Sequence, residues 1–365
     1  MRPPPRWLRR VLLAPVVMGL ALVLVGTAPV WVVLTLAGSP LVPGFLRPLR
    51  LLWLTTVYLL VELVALVVML ALWLASGFGW RVRGPLFQRA HYRLCGRAMR
   101  VLYRQARWVL RLHVRIEGSA PDSVPPGRPL LVLSRHAGPG DSFLLAHALI
   151  NWYDRDPRIV LKDALQWDPS IDVLLNRLPN RFIAPGREPA ERAESEIASL
   201  AAGLGRHDAL LIFPEGGNFT PRRWERAIQR LSALGLQQMA TRARRMHNVL
   251  PPHPGGVLAA LDAAPDADVI MVGHTGVDHL LTVADVWRAL PMDKTIIMQW
   301  WLVPRAEVPA GDEARIEWLY RWWARIDMWI ESHRPAVPTG AEPAAPGAGR
   351  AGLRRRRAPQ PPPGE

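Results

Sequence analysis

Two long apolar stretches near the start of the chain constrain its fold more than any later segment does. Val11 to Ala37 carries no charge, and Leu51 to Ala75 carries only one, at Glu62. Each exceeds the roughly 20 residues a helix needs to cross a bilayer, so two membrane helices are expected. Gly26 and Pro29 interrupt the first, which predicts a kink or a re-entrant segment that neighbouring helices would support. A secretory signal has a similar basic start and apolar core, but this apolar run is too long for one and a second span comes directly after it.

Arginine placement gives an orientation. Arg2, Arg6, Arg9 and Arg10 precede the first span and a dense arginine run begins at Arg81, while the linking loop holds only Arg47 and Arg50. The positive-inside tendency then puts both ends of the pair in the cytoplasm: a multi-pass cell-membrane protein whose main domain sits on the cytoplasmic face. The net charge is +15 in 365 residues, nearly all of the positive charge is arginine, and Lys162 and Lys294 are the lysines. For a chain anchored this way anionic lipid is the nearer counter-ion, and no nucleic-acid partner is expected. Cys95 is the single cysteine, which excludes a disulfide framework and a cysteine-based metal site.

Between Arg81 and Arg115 no acidic residue occurs, and Arg89, Arg93, Arg97, Arg100, Arg104, Arg107 and Arg111 recur every three or four positions. That spacing predicts a helix with a basic stripe, either a solvated face or, as favoured here, an interfacial helix on an anionic leaflet. From Leu112 short apolar runs alternate with helical stretches. Strands are expected at Leu112–Ile116, Leu130–Leu133, Arg158–Leu161, Ala209–Phe213, Val269–Val272 and Thr295–Trp301, and helices at Ser142–Trp152, Pro189–Leu204, Arg222–Met246, Gly256–Ala263 and Asp312–Ser332. The pattern implies an α/β domain with a largely parallel sheet covered by helices. Expected boundaries are 1–80 for the membrane helices (spans about 11–37 and 51–75), 81–111 for the basic interfacial helix, 112–333 for the α/β domain and 334–365 for a disordered Pro/Ala/Arg-rich tail.

Two strand ends carry the chemistry. The first run ends in Ser134-Arg135-His136-Ala137-Gly138-Pro139-Gly140-Asp141, the second in Phe213-Pro214-Glu215-Gly216-Gly217-Asn218. Residues five apart on a helix point about 140° away from each other, so His136 and Asp141 meet only if the chain between them is a loop. Gly138, Pro139 and Gly140 supply one. A carboxylate facing one ring nitrogen fixes the tautomer and stabilises the imidazolium, which makes His136 a general base for a substrate that brings its own hydroxyl. A His with an Asp five residues on is common by itself; the second cluster at a second strand end gives the pair its weight. Gly216 and Gly217 let main-chain N–H groups approach a phosphate or glycerol oxygen, and Glu215 would accept a hydrogen bond from a hydroxyl.

At these residues the sequence resembles the glycerolipid acyltransferase family, whose bacterial representatives are the 1-acyl-glycerol-3-phosphate acyltransferases. Their pattern is His, four residues, Asp, and later Phe-Pro-Glu-Gly, as His136/Asp141 and Phe213 to Gly216 stand here. The resemblance implies transfer of a fatty acyl chain from acyl-CoA or acyl carrier protein to a lysophospholipid, with no resident cofactor and no metal. It further implies that the Glu215 block binds the glycerol-phosphate part of the acceptor. Main-chain N–H groups near Gly138 to Gly140 are expected to steady the oxyanion.

The chain departs from the family at several points. Asn218 stands where many members carry an arginine whose fork suits phosphate, so either Arg222 or Arg223 reaches in instead or the acceptor carries less exposed charge than lysophosphatidic acid. A further block survives only as Pro179 to Arg187, with Arg181 or Arg187 expected as the phosphate ligand, and Lys162 at a strand end is either another anion contact or a simple surface lysine. Val249 to Gly256 resembles the family's proline-containing fourth block, with His253 where related chains often have arginine. Two other classes remain open: a metal-dependent hydrolase using His136 and Asp141 with His274, Asp278 and His279, and a catalytically silent membrane scaffold.

Overall fold

The computed structural model describes residues 3–118, 127–138, 140–184, 189–278 and 283–334. The tail expected from 334 onwards lies, apart from Arg334, outside the described residues. Helical structure begins at α1 (Arg6–Leu8), passes through a π-helical turn at Arg9–Leu13 and continues as α2 (Ala14–Gly26). Thr27 leaves helical geometry at φ −100°, ψ 9°, and α3 (Ala28–Gly38) restarts with a proline in its first turn, where the missing N–H costs nothing. The single span expected over 11–37 is therefore two helices, broken where Gly26 and Pro29 stand. At 11 residues α3 is too short to cross a bilayer. Arg6–Gly26 and α4 (Arg47–Ala75) are long and apolar enough to do so.

Along its length α4 is bonded to later parts of the chain. Arg47 donates to the carbonyls of Arg288 and Leu290, Trp53 Nε1 to Gln105 at 2.9 Å, and Arg177 to the Met69 carbonyl at 2.8 Å. Tyr58 bonds Asp168, the cap of α7 (Pro169–Leu175). Arg9, 4% exposed, pairs at 2.8 Å with Asp172 of α7, which is fully buried. Removing Asp172 would leave the buried Arg9 without a counter-charge, at a cost of about 3–5 kcal/mol, whereas Asp172 has a second partner in Arg10 at 3.1 Å. The outward side of α4, with Leu60, Val64, Val67, Leu70 and Leu74, is 37–57% exposed. This apolar face is not buried within the fold.

The basic segment forms α5 (Pro85–Leu110), starting four residues later than expected because Gly84-Pro85 supplies an extended cap and a proline first turn. Its inner side, with His91, Tyr92, Cys95, Gly96 and Val109, is buried against α4 and α6 (Asp141–Asn151). The arginine stripe is exposed.

Seven strands form one sheet in the order β1-β7-β6-β2-β5-β3-β4. They are β1 (Leu112–Gly118), β2 (Leu130–Ser134), β3 (Asp156–Lys162), β4 (Arg181–Ile183), β5 (Asp208–Ile212), β6 (Asp268–Thr275) and β7 (Lys294–Val303). Every neighbouring pair is parallel except β6 with β7. The largely parallel sheet is as expected, and β4, three residues long, is an addition to it. Leu130 to Leu133 are all fully buried because helices cover both faces. Alternate residues serve the two layers. Leu131, Leu133 and Leu210 pack with Leu261 of α11 (Pro254–Ala263) and Trp323 of α13 (Asp312–His333), while Leu130, Val132 and Leu211 pack with Leu145 and Leu149 of α6.

The helix expected over Arg222–Met246 is two, α9 (Pro221–Ala233) and α10 (Gln237–Arg244). Between them Gly235 adopts φ 75°, a left-handed value that ends a helix. α8 (Ala190–Ala201) and α12 (Val283–Arg288) complete the set among the described residues. β2 and β5 are neighbours, with Leu133 opposite Ile212, so the two motif loops leave the sheet about 5 Å apart.

Candidate active site

Asp141 is the first residue of α6, where a negative charge is favoured by the helix dipole. Its Oδ2 accepts hydrogen bonds from the amides of Ala137 and Gly138, at 2.6 and 2.7 Å, and lies 3.2 Å from His136 Nδ1. The loop thus turns back on its own carboxylate. Burial alone would raise the Asp141 carboxyl, but His274 and the bonds from His136 and Gly138 outweigh it and hold the group below the usual carboxylate range. The His136 ring leans on Phe213, centroids 4.6 Å apart, and its side chain is 12% exposed. With Nδ1 turned to Asp141, Nε2 has no protein partner among the described residues. The Gly138 amide, expected to face an oxyanion, is taken by Asp141.

Glu215 has a different place from the one expected. It is 3% exposed, with Oε1 accepting from the His136 amide at 3.1 Å and Oε2 from the Leu250 amide at 3.0 Å. Burial pushes its carboxyl up to about 7 despite Arg135 and these amides. It clamps the first motif loop to the fourth-block loop, with both carboxylate oxygens engaged by main-chain amides. The fourth block is held from the other side as well, by the His253 amide donating to the Pro214 carbonyl at 2.8 Å.

Gly216 sits at φ 67°, with the His253 ring close enough that a Cβ would meet it at 3.4 Å. Over Gly217 lies the guanidinium of Arg223, which donates to the Asn218 carbonyl at 3.1 Å. Lys162 ends β3 nearby; partial burial and the Arg223 charge hold its ammonium below the ordinary lysine range. Gly217, Arg223 and Lys162 thus form one cationic corner beside the motif loops.

Arg181 lies on edge strand β4, opposite Val160 of the neighbouring β3, and its guanidinium pairs with Glu196 of α8 at 2.7 Å. Arg187 and His279 lie outside the described residues. Asp278, a metal-ligand candidate from sequence, is committed to the guanidinium of Arg135.

Sequence reasoning missed the layer behind the loop. Arg135, 1% exposed, donates to the carbonyls of His274 at 2.7 Å and Asn248 at 3.2 Å. His274, buried on β6, sets Nε2 3.3 Å from the Arg135 carbonyl and 3.7 Å from Asp141 Oδ2. Asn248 is in turn held by Asp327 of α13, which accepts from its amide at 2.6 Å. The one available signal was a charged residue, Arg135, next to the histidine at the end of an otherwise apolar run.

Residues 114–273 match the family model described as Acyltransferase. No curated protein matches the chain in sequence. A solved structure, that of the 1-acyl-sn-glycerophosphate (LPA) acyltransferase PlsC from Thermotoga maritima, is similar with a TM-score of 0.45 and 16% identity, over 78% of this chain and 98% of that one. The matched span contains both motif loops, the clamp between them and the cationic corner. Over residues 114–273, which hold both motif loops, the chain is similar to the acyltransferase family.

Proposed function

We propose that the protein moves a fatty acyl chain from the thioester of acyl-CoA or acyl carrier protein to a free hydroxyl of a lysophospholipid such as 1-acyl-glycerol-3-phosphate. The observation that carries this reading is the 3.2 Å approach of Asp141 Oδ2 to His136 Nδ1, which leaves Nε2 for the substrate. In this reading Nε2 takes the hydroxyl proton as the oxygen attacks the thioester carbonyl. The Asp141 carboxylate stabilises the imidazolium. Collapse of the tetrahedral intermediate breaks the C–S bond, and the imidazolium returns its proton to the leaving thiolate.

Arg223 and Lys162 bind the acceptor's phosphate, taking the role that an arginine at position 218 plays in many relatives. The approach of Arg223 to Gly217, with Lys162 close enough to feel the Arg223 charge, supports this, since a glycine leaves the main chain open to a phosphate oxygen. The apolar outer side of α4 and the broken first span hold the protein in the cell membrane, with the catalytic domain on the cytoplasmic face, so acyl chains stay in lipid while the headgroup reaches His136. Purified protein given a labelled acyl thioester and a panel of lysolipids, with products weighed by mass spectrometry, tests the reading. A diacyl product from one acceptor is expected; hydrolysis without transfer would refute it.

A further inference from the structure

His136 follows the C-terminal end of β2. At the opposite, N-terminal ends of β3 and β5 a cleft of about 610 Å³ opens between α5 and the turn that joins α6 to β3. Arg89, Arg93, Arg97 and Arg100 of α5 form one wall, and Arg155 and His207 stand on the other. Two of these arginines are already engaged. Arg100 donates to Asn151 at 2.8 Å, and Arg155 to the carbonyls of Arg128 and Arg206 at 2.8 and 3.0 Å. Arg89, Arg93 and Arg97 are exposed, and among the described residues no hydrogen bond or ion pair engages them. Asp154 and Asp156 are the acids lining the cleft, so five arginines outnumber them.

Three unengaged guanidinium groups one turn apart, on the wall of a concave site, suit a phosphate group, whose oxygens accept paired N–H donors. The surroundings point to where that phosphate comes from. Val101 lies one turn beyond Arg97, about 40° around the helix, and is 43% exposed. Trp108, 69% exposed, meets Trp53 of α4 edge-on at 5.9 Å. The apolar strip on α5 therefore runs onto the outward side of α4, and the arginine wall lies along its border. A phosphate at such a border is that of a lipid.

We propose that this cleft holds the phosphate of an anionic phospholipid headgroup at the bilayer surface, a site separate from the acyl-transfer centre. The assignment rests on membrane association by α2 and α4. It predicts that charge inside the cleft matters more than equal charge elsewhere on the same helix.

The test compares full-length wild type, R93Q/R97Q and R104Q/R107Q for flotation with vesicles of neutral phosphatidylcholine and of the same lipid containing phosphatidylglycerol. Each arginine near an anionic surface is worth roughly a fivefold change in affinity. R93Q/R97Q is expected to lose about 25-fold in affinity for the anionic vesicles, R104Q/R107Q less than threefold, and neither to change binding to neutral ones. Equal losses from both pairs, or none from either, would overturn the cleft. Stabilisation of the lipid-free wild type by inorganic pyrophosphate, absent in R93Q/R97Q, would overturn the lipid assignment. Failure of the wild type to float with neutral vesicles would instead remove the membrane reading on which the proposal stands.

Discussion

Replacing Asp141 with Asn isolates the electrostatic part of the proposed chemistry. The substitution keeps size and keeps one oxygen able to accept from the Ala137 and Gly138 amides, now 2.6 and 2.7 Å from Oδ2. Weakening those bonds from charged to neutral costs about 1–2 kcal/mol of stability in total, which a folded domain tolerates. The catalytic cost is larger. At the 3.2 Å separation from His136 Nδ1, a carboxylate and an imidazolium attract by about 5 kcal/mol at an effective dielectric of ~20. Full loss would slow the step by a factor of about 10³–10⁴; the amide dipole restores part of it, so D141N is expected to lose at least roughly a hundredfold. Single-turnover transfer from an acyl thioester to lysophosphatidic acid in micelles measures this directly. Turnover within threefold of wild type would refute the pairing. The same variant has a signature in stability. Because the Asp141 carboxyl is held below its ordinary range in the fold, it stabilises the protein above about pH 3.9 and loses that contribution as pH falls through its folded value. Thermal unfolding of D141N should therefore fall less steeply on the acid side.

The geometry sets three further outcomes. H136A should lose at least roughly a hundredfold in turnover, and H136A/D141N should be little worse than H136A alone, since the two side chains act as one unit; multiplicative losses in the double variant would separate them. R223A should raise KM for a phosphate-bearing acceptor more than it lowers kcat, with little effect on an acceptor lacking that charge, in the same transfer assay. D172A, which leaves the buried Arg9 unpaired, should lower stability by about 3–5 kcal/mol and make the N-terminal helices sensitive to protease; unchanged digestion would count against the role of this pair.

The sequence was most informative where physics is local. Leu130 to Leu133 and Ala209 to Ile212 are apolar because helices cover both sides of the sheet, and that composition marks β2 and β5 without any knowledge of their partners. The turn from His136 to Asp141 was legible for a similar reason: only a loop lets the two side chains meet. β4 escaped notice because three residues have no period, and the break at Gly235 because an isolated glycine inside a helical pattern does not announce its φ. The clamp made by Glu215 depends on the Leu250 amide, 35 positions away, and the support from Arg135, His274 and Asn248 on contacts more than 100 residues apart. No spacing rule reaches those.

The clamp at Glu215 has a practical corollary. It grips position 136 by the peptide nitrogen, so trimming the ring to a methyl group gives up the contacts with Asp141 and Phe213 but leaves both bonds of the clamp in place. An inactive protein carrying that truncation would still have its two loops fastened together, and its silence would speak of lost proton transfer instead of a collapsed framework.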